Sequence, residues 1–100
     1  MRKKTLNLEK LIREIQDKIF YLQDSIDREM KSDLPKTYFT QRLIAEDKQK
    51  VKVLKLFLQE LYKLSSQGKK TISSRKAEKL LKDIIYKKLH LAKSPFKDIQ

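Results

Sequence analysis

Six basic residues, Lys69, Lys70, Arg75, Lys76, Lys79 and Lys82, fall within one short stretch that holds a single acidic residue, Glu78. At about 100° per residue on a helix, Arg75, Lys79, Lys82, Tyr86 and Lys93 lie within about 60° of one another, with His90 at the border. A second rank, Lys48, Lys52 and Lys55, has 4 and 3 spacing and is continued by Gln59 and Lys63. The chemistry open to such ranks is phosphate binding. Ammonium groups neutralise backbone phosphates, and the released counterions supply the free energy. Lysine outnumbers arginine by 20 to 5. Lysine is a point charge, whereas arginine is the usual bidentate reader of guanine edges, so the composition favours phosphate tracking over sequence reading.

Other chemistry is poorly provided for. Cysteine is absent, which removes disulfides, thiolate metal sites and cysteine nucleophiles. The one histidine, His90, falls near the end of the last helical stretch, where an imidazolium suits the helix dipole. No Ser-His-Asp arrangement, glycine-rich phosphate loop or carboxylate pair in an apolar setting is present. Glu9, Glu14 and Asp17 read as helical partners of Lys10, Arg13 and Lys18. The expectation is a non-enzymatic protein with no cofactor, no metal and no small-molecule substrate.

One enzyme family bears comparison. In length, helix count and long leading helix the chain resembles the small three-helix chorismate mutases, with Arg13, Asp47 and Lys50 echoing their charged residues. The Arg-Glu pair those enzymes carry after the helix-two aspartate is missing, since the chain reads Asp47-Lys48-Gln49-Lys50-Val51. The likeness is one of heptad geometry and carries no activity over.

The elements that must position these cations are helices. The chain has 100 residues, one glycine and two prolines, and 38% of its residues are charged, against roughly 25% in an average globular chain. In the first segment Leu8, Ile12, Ile15, Ile19, Leu22 and Ile26 recur at alternating spacings of 4 and 3, a heptad seam. Leu11, Phe20 and Met30 widen it. Thr5 or Asn7 caps its start, and Asp33-Leu34-Pro35 ends it. In the second segment Ile44, Val51, Leu54, Leu58 and Leu61 repeat the seam, with Asp47 in its one polar slot. Leu43, Val53, Phe57 and Leu64 broaden it, and Gly68 is the expected left-handed terminator. In the third, capped by Ser73 or Ser74, the apolar face is Ala77, Leu80, Leu81, Ile84, Ile85, Leu91 and Ala92, and Ser94-Pro95 stops it.

The expected architecture is a single all-α domain over residues 1–100: a long antiparallel hairpin of helices at about 7–33 and 38–65, with a shorter helix at about 74–93 packed on it. This is a three-helix bundle, open to dimerisation. A short flexible arm over 1–6 and a tail over 94–100 flank it, with Phe96 or Ile99 docking the tail. Tyr38 and Phe39 are expected to plug the hairpin end. Strand signal is nearly nil, because Val51 and Val53, the only valines, sit in a helical pattern.

Net charge is +12, and it is unevenly spread: +2 over residues 1–36, +3 over 37–68 and +7 over 69–100. A charge of that size exceeds the magnitude of about 2 to 8 that suits a small domain, and the self-repulsion points to a polyanion. The leading expectation is therefore a DNA- or RNA-binding protein that contacts the phosphate backbone. A helix-turn-helix formed by Leu61 through Ser74 is a narrower version. Its connection, Ser66 to Ile72, is longer than the usual three or four residues. The alternative is a protein–protein adaptor or assembly subunit, a homodimer or a docking partner for another helical protein, its basic face meeting an acidic partner. A membrane-surface helix ranks below both, for want of tryptophan or an exposed aromatic wedge. No stretch of 18 apolar residues and no secretory h-region is present, so the expected location is the cytoplasm.

Overall fold

A computed structural model describes residues 5–32, 37–92 and 95–96. The chain is mostly helical, with strand β1 (Thr5–Asn7), helix α1 (Leu8–Lys31), helix α2 (Tyr38–Ser66), strand β2 (Thr71–Ser73) and helix α3 (Ser74–Asp83). A π-helical turn over Ile84–Lys88 continues α3.

Each helix start follows from a cap. Asn7 accepts from the Lys10 amide at 2.9 Å, Thr37 from Thr40 at 3.1 Å and Ser73 from Lys76 at 3.2 Å. Each cap satisfies an amide that the first helical turn leaves without a partner. The α2 terminus is equally local. Gly68 adopts φ +84°, the Lys69 amide reaches back to the Leu64 carbonyl, and the Gly68 amide reaches that of Ser65. This paired return is the Schellman arrangement, and its left-handed residue favours glycine.

The two long helices pack side by side. Leu8 of α1 lies in one cluster with Phe57 and Leu61 of α2, while Ile19, Leu22 and Ile26 meet Val51 and Leu54 in a second. The start of α1 thus faces the end of α2, and the pair runs antiparallel. The α1 seam holds, with Leu8, Ile19, Leu22 and Ile26 buried. On α2 the apolar face divides. Val51 and Leu54 serve α1, whereas Val53, Phe57 and Leu61 join Ile72, Ala77, Ile84 and Ile85 under α3 and the sheet.

Three expectations need correction. The first is the missing strand signal. β1 and β2 form an antiparallel ribbon with Thr5 opposite Ser73, Leu6 opposite Ile72 and Asn7 opposite Thr71. Leu8 then donates to the Lys70 carbonyl at 2.9 Å. Three-residue strands show one apolar residue between two polar ones, too short a run for period-2 alternation to register. The arm is consequently strand from Thr5 onward, and residues 1–4 lie outside the described part. The connection Ser66–Ile72 holds a strand start rather than a bare turn.

The second concerns the third helix, whose α portion ends at Asp83. Ile84 and Ile85 are adjacent and both fully buried. A five-residue return, Leu89 amide to Ile84 carbonyl at 3.0 Å, accommodates both against the core. His90 then turns left-handed at φ +53° and the helix is over. Ala92, expected on the apolar face, is exposed.

The third concerns the aromatics and Met30. Tyr38 and Phe39 do not plug the hairpin end, since they are 79% and 68% exposed. Phe20 and Met30 do not widen the core stripe, and both are exposed. Phe20 lies about 120° off the seam centre, and α3 does not reach the distal part of the hairpin that Met30, Tyr38 and Phe39 occupy. Phe57, in contrast, is buried.

The docking of the tail follows the expectation. Of the two residues expected to dock the tail, Phe96 packs against both clusters, with the Lys18 ammonium 5.9 Å from its ring centre. Ile99 lies outside the described residues.

Candidate functional site

The basic residues of the last third are placed by the junction of β2 and α3. Ile72 points into the core and fixes the strand. Ser73 caps the helix, and Ala77, Ile84 and Ile85 turn its apolar side inward. Arg75, Lys76, Lys79 and Lys82 are thereby left on the outer side, and all are exposed, as are Lys69 and Lys70 just before the strand. Beside them, Ser73, Arg75, Lys76, Lys79, Leu80 and Asp83 line an open depression of about 440 Å³.

Density, not the lack of a partner, separates these residues from the other exposed cations, since Lys10, Lys18, Lys31, Arg42, Lys48, Lys52 and Lys55 also have no ion pair among the described residues. Among the described residues, carboxylates pair with Arg13, Arg28, Lys50, Lys63, Lys87 and Lys88. None pairs with Lys69, Lys70, Arg75, Lys76, Lys79 or Lys82. The acids nearest in sequence are otherwise engaged or single: Asp83 contacts Lys87 at 3.6 Å, and Glu78 stands alone on its flank. The site is thus a dense set of exposed cations without an ion pair among the described residues.

The sequence-derived residues are not all brought together. Lys48, Lys52 and Lys55 are exposed and have no ion pair among the described residues. They lie more than about 90° around α2 from Val53, Phe57 and Leu61, the residues that face α3. The two ranks therefore look out from different sides of the molecule. Tyr86 sits in the π turn, half-exposed, where the register of an unbroken α-helix no longer applies. Lys93 lies outside the described residues. His90 follows the end of the π turn, as its sequence position suggested, and is exposed.

Among the described carboxylates, Glu60 is set apart by two nearby amines. The Lys88 ammonium, hydrogen-bonded to Oε1 at 3.1 Å, holds the carboxyl below its ordinary range. Partial burial acts in the opposite direction, and Lys63 at 3.5 Å adds to the lowering. This triad joins α2 to the end of the π turn and is a structural tie.

The charged residues that echoed an enzyme do not converge. Arg13 pairs with Glu9 on the exposed side of α1, and Lys50 with Asp47 on α2. A second depression, about 410 Å³, lies between the long helices and is lined by Gln23, Ile26, Asp27, Met30, Lys48 and Val51. Its single carboxylate and single amine form no pairing suited to proton transfer. Among the described residues no group of three or more His, Asp or Glu is placed to hold a metal ion. No described helix is long and apolar enough to cross a membrane.

Sequence reasoning passed over the ribbon. The available signal is a shared pattern, Thr5-Leu6-Asn7 and Thr71-Ile72-Ser73, in which threonine, an apolar residue and a capping residue lead directly into a helix.

Compared with protein-family models, with curated proteins and with solved structures, the chain matches none of them.

Proposed function

We propose that the protein is a non-enzymatic nucleic-acid-binding protein that holds phosphate backbone on the outer side of α3. Lys69, Lys70, Arg75, Lys76, Lys79 and Lys82 are the contacting groups. The observation that carries this reading is their density: six exposed cations with no ion pair among the described residues are gathered around one strand–helix junction, in a stretch with a single acid, Glu78. Cations left uncompensated repel one another, and a polyanion relieves that repulsion while releasing its own counterions. Lys48, Lys52 and Lys55 form a separate rank that a long or bent polyanion reaches only by passing around α2.

The test is fluorescence anisotropy with a labelled DNA duplex and a structured RNA across a salt series. Engagement of about six phosphates lowers affinity roughly a thousandfold between about 50 and 200 mM salt. Reversal of Lys79 and Lys82 to Glu abolishes the binding. Absence of binding to either polymer at low salt would refute the reading.

A second reading has its own observation. Phe20, Tyr21, Met30, Tyr38, Phe39 and Leu43 are exposed, and the last four crowd the distal part of the hairpin. Large exposed apolar side chains in one region mark protein contacts. On this reading the hairpin end docks another helical protein, and the chain is an assembly subunit. Serine substitution of Tyr38 and Phe39 then removes association and leaves phosphate binding intact.

A further inference from the structure

The β1–β2 ribbon has two unlike faces. Leu6 is partly buried and Ile72 is 4% exposed, and together they seal the inner face. The outer face carries only short polar side chains: Thr5 across from Ser73, and Asn7 across from Thr71. Thr5, Asn7 and Thr71 are exposed, and Ser73 is half-buried. We infer that this outer face enters the major groove of duplex DNA and reads base edges. The inference rests on the nucleic-acid reading above and adds the polymer, the groove and the residues.

Size supports it. Paired strands lie about 4.8 Å apart, and the B-DNA major groove, roughly 12 Å wide, admits a two-stranded ribbon. The major groove of A-form RNA is too narrow and deep for side chains to read. Hydrogen-bonding capacity supports it as well. The caps use only acceptor oxygens, Oδ1 of Asn7 and Oγ of Ser73. The Asn7 Nδ2 hydrogens and the Ser73 hydroxyl hydrogen stay available to base acceptors, beside the hydroxyls of Thr5 and Thr71.

Charge completes the argument. Lys69 and Lys70 precede the outer residue Thr71, while Arg75 and Lys76 follow Ser73. On the other strand Lys10 comes three residues after Asn7. A ribbon flanked by cations meets the phosphates that border a groove, so backbone contacts set the register and the short polar residues meet the bases. The α3 lysines acquire a definite task here, which is to hold the groove against the ribbon.

The experiment is selection of bound sites from a randomised DNA duplex pool with the full chain, followed by anisotropy on the selected and random duplexes. Two variants accompany it. Thr5→Val with Thr71→Val removes both hydroxyls but keeps β-branched shape. Asn7→Asp keeps a good cap and removes the Nδ2 donor. Thermal melts followed by circular dichroism confirm that both remain folded. The wild-type chain is expected to enrich a short motif. In the double valine variant the preference for that motif over random duplex falls about fivefold to tenfold, with random-duplex affinity within about twofold of wild type. Asn7→Asp changes the motif itself. Methylation of guanine N7, which lies in the major groove, interferes with wild-type binding. Binding to duplex without any enriched motif, an unchanged motif in both variants, or preference for RNA overturns the inference and leaves the phosphate reading standing. Failure to bind either polymer ends both.

Discussion

The Lys88 ammonium donates to Glu60 Oε1 across 3.1 Å and so joins the π turn to the middle of the C-terminal half of α2. Lys63 reaches the same oxygen at 3.5 Å. Because these amines hold the folded carboxyl below its ordinary range, the unfolded chain takes up a proton there first. The associated stability is complete above the ordinary glutamate range near pH 4.3 and is lost as pH falls through the lower folded value. Glu60→Gln is expected to cost about 0.5–1 kcal/mol at neutral pH and to flatten that acid limb. Urea unfolding of both proteins between about pH 3 and pH 7 measures it. Parallel acid limbs would remove Glu60 as the cause.

Gly68 offers a cleaner separation of effects. Its φ is +84°, and a β-carbon built there meets nothing within 4 Å. Any loss on substitution is therefore backbone strain rather than collision. Gly68→Ala is expected to destabilise by about 1 kcal/mol, and Gly68→Asn by less, since asparagine tolerates the left-handed region better. Denaturant midpoints of the two variants supply the order, and equal midpoints would contradict it.

Burial predicts a steep contrast among apolar residues. Leu61 of α2 and Ile85 of the π turn are each fully buried in one cluster. Leu61→Ala or Ile85→Ala is expected to cost about 2–5 kcal/mol. Phe20→Ser and Tyr38→Ser, at the surface, stay within about 0.5 kcal/mol. Thermal melts of the four variants decide, and a large loss at Phe20 would mean that the side chain is covered in solution.

The two lysine ranks give a test of direction. Reversal of Lys79 and Lys82 to Glu is expected to abolish duplex binding at moderate salt. The same reversal at Lys48 and Lys52 lowers it through net charge alone, by about tenfold or less at low salt, and the difference narrows as salt is raised. Salt-dependent anisotropy on both variants compares them. Equal losses would place the polymer across both sides of α2.

Much of this architecture was legible in the residues, for reasons that can be named. The α1 seam is six residues long in one register, and a signal of that length survives local noise. Asn7, Ser73 and Gly68 act through their own backbone neighbours, so their roles do not depend on the rest of the fold. What escaped depends on distant partners. Leu6 and Ile72 become strand residues only because they meet each other. Ile84 and Ile85 force a wider turn only because a core faces both. The exposure of Tyr38 and Phe39 follows from where α3 ends, and α3 ends early because of that turn. The cations were legible as a set. That Lys48, Lys52 and Lys55 look away from Arg75, Lys79 and Lys82 follows from which side of α2 the third helix occupies, and periodicity along α2 alone cannot choose that side.

The pairing of Thr5 with Ser73 also bears on the order in which the molecule is made. The contacts between α1 and α2 form around one short connection, but the ribbon closes a loop of roughly 70 residues, whose entropy must be met before its few hydrogen bonds are gained. A newly synthesised chain can begin its hairpin before β2 leaves the ribosome, yet Leu8 and its neighbours wait for Ile72 and Ile85 to cover them. The last third is thus the latch of the fold. If it also grips the polymer, ligand occupancy and completion of the native state are one linked equilibrium.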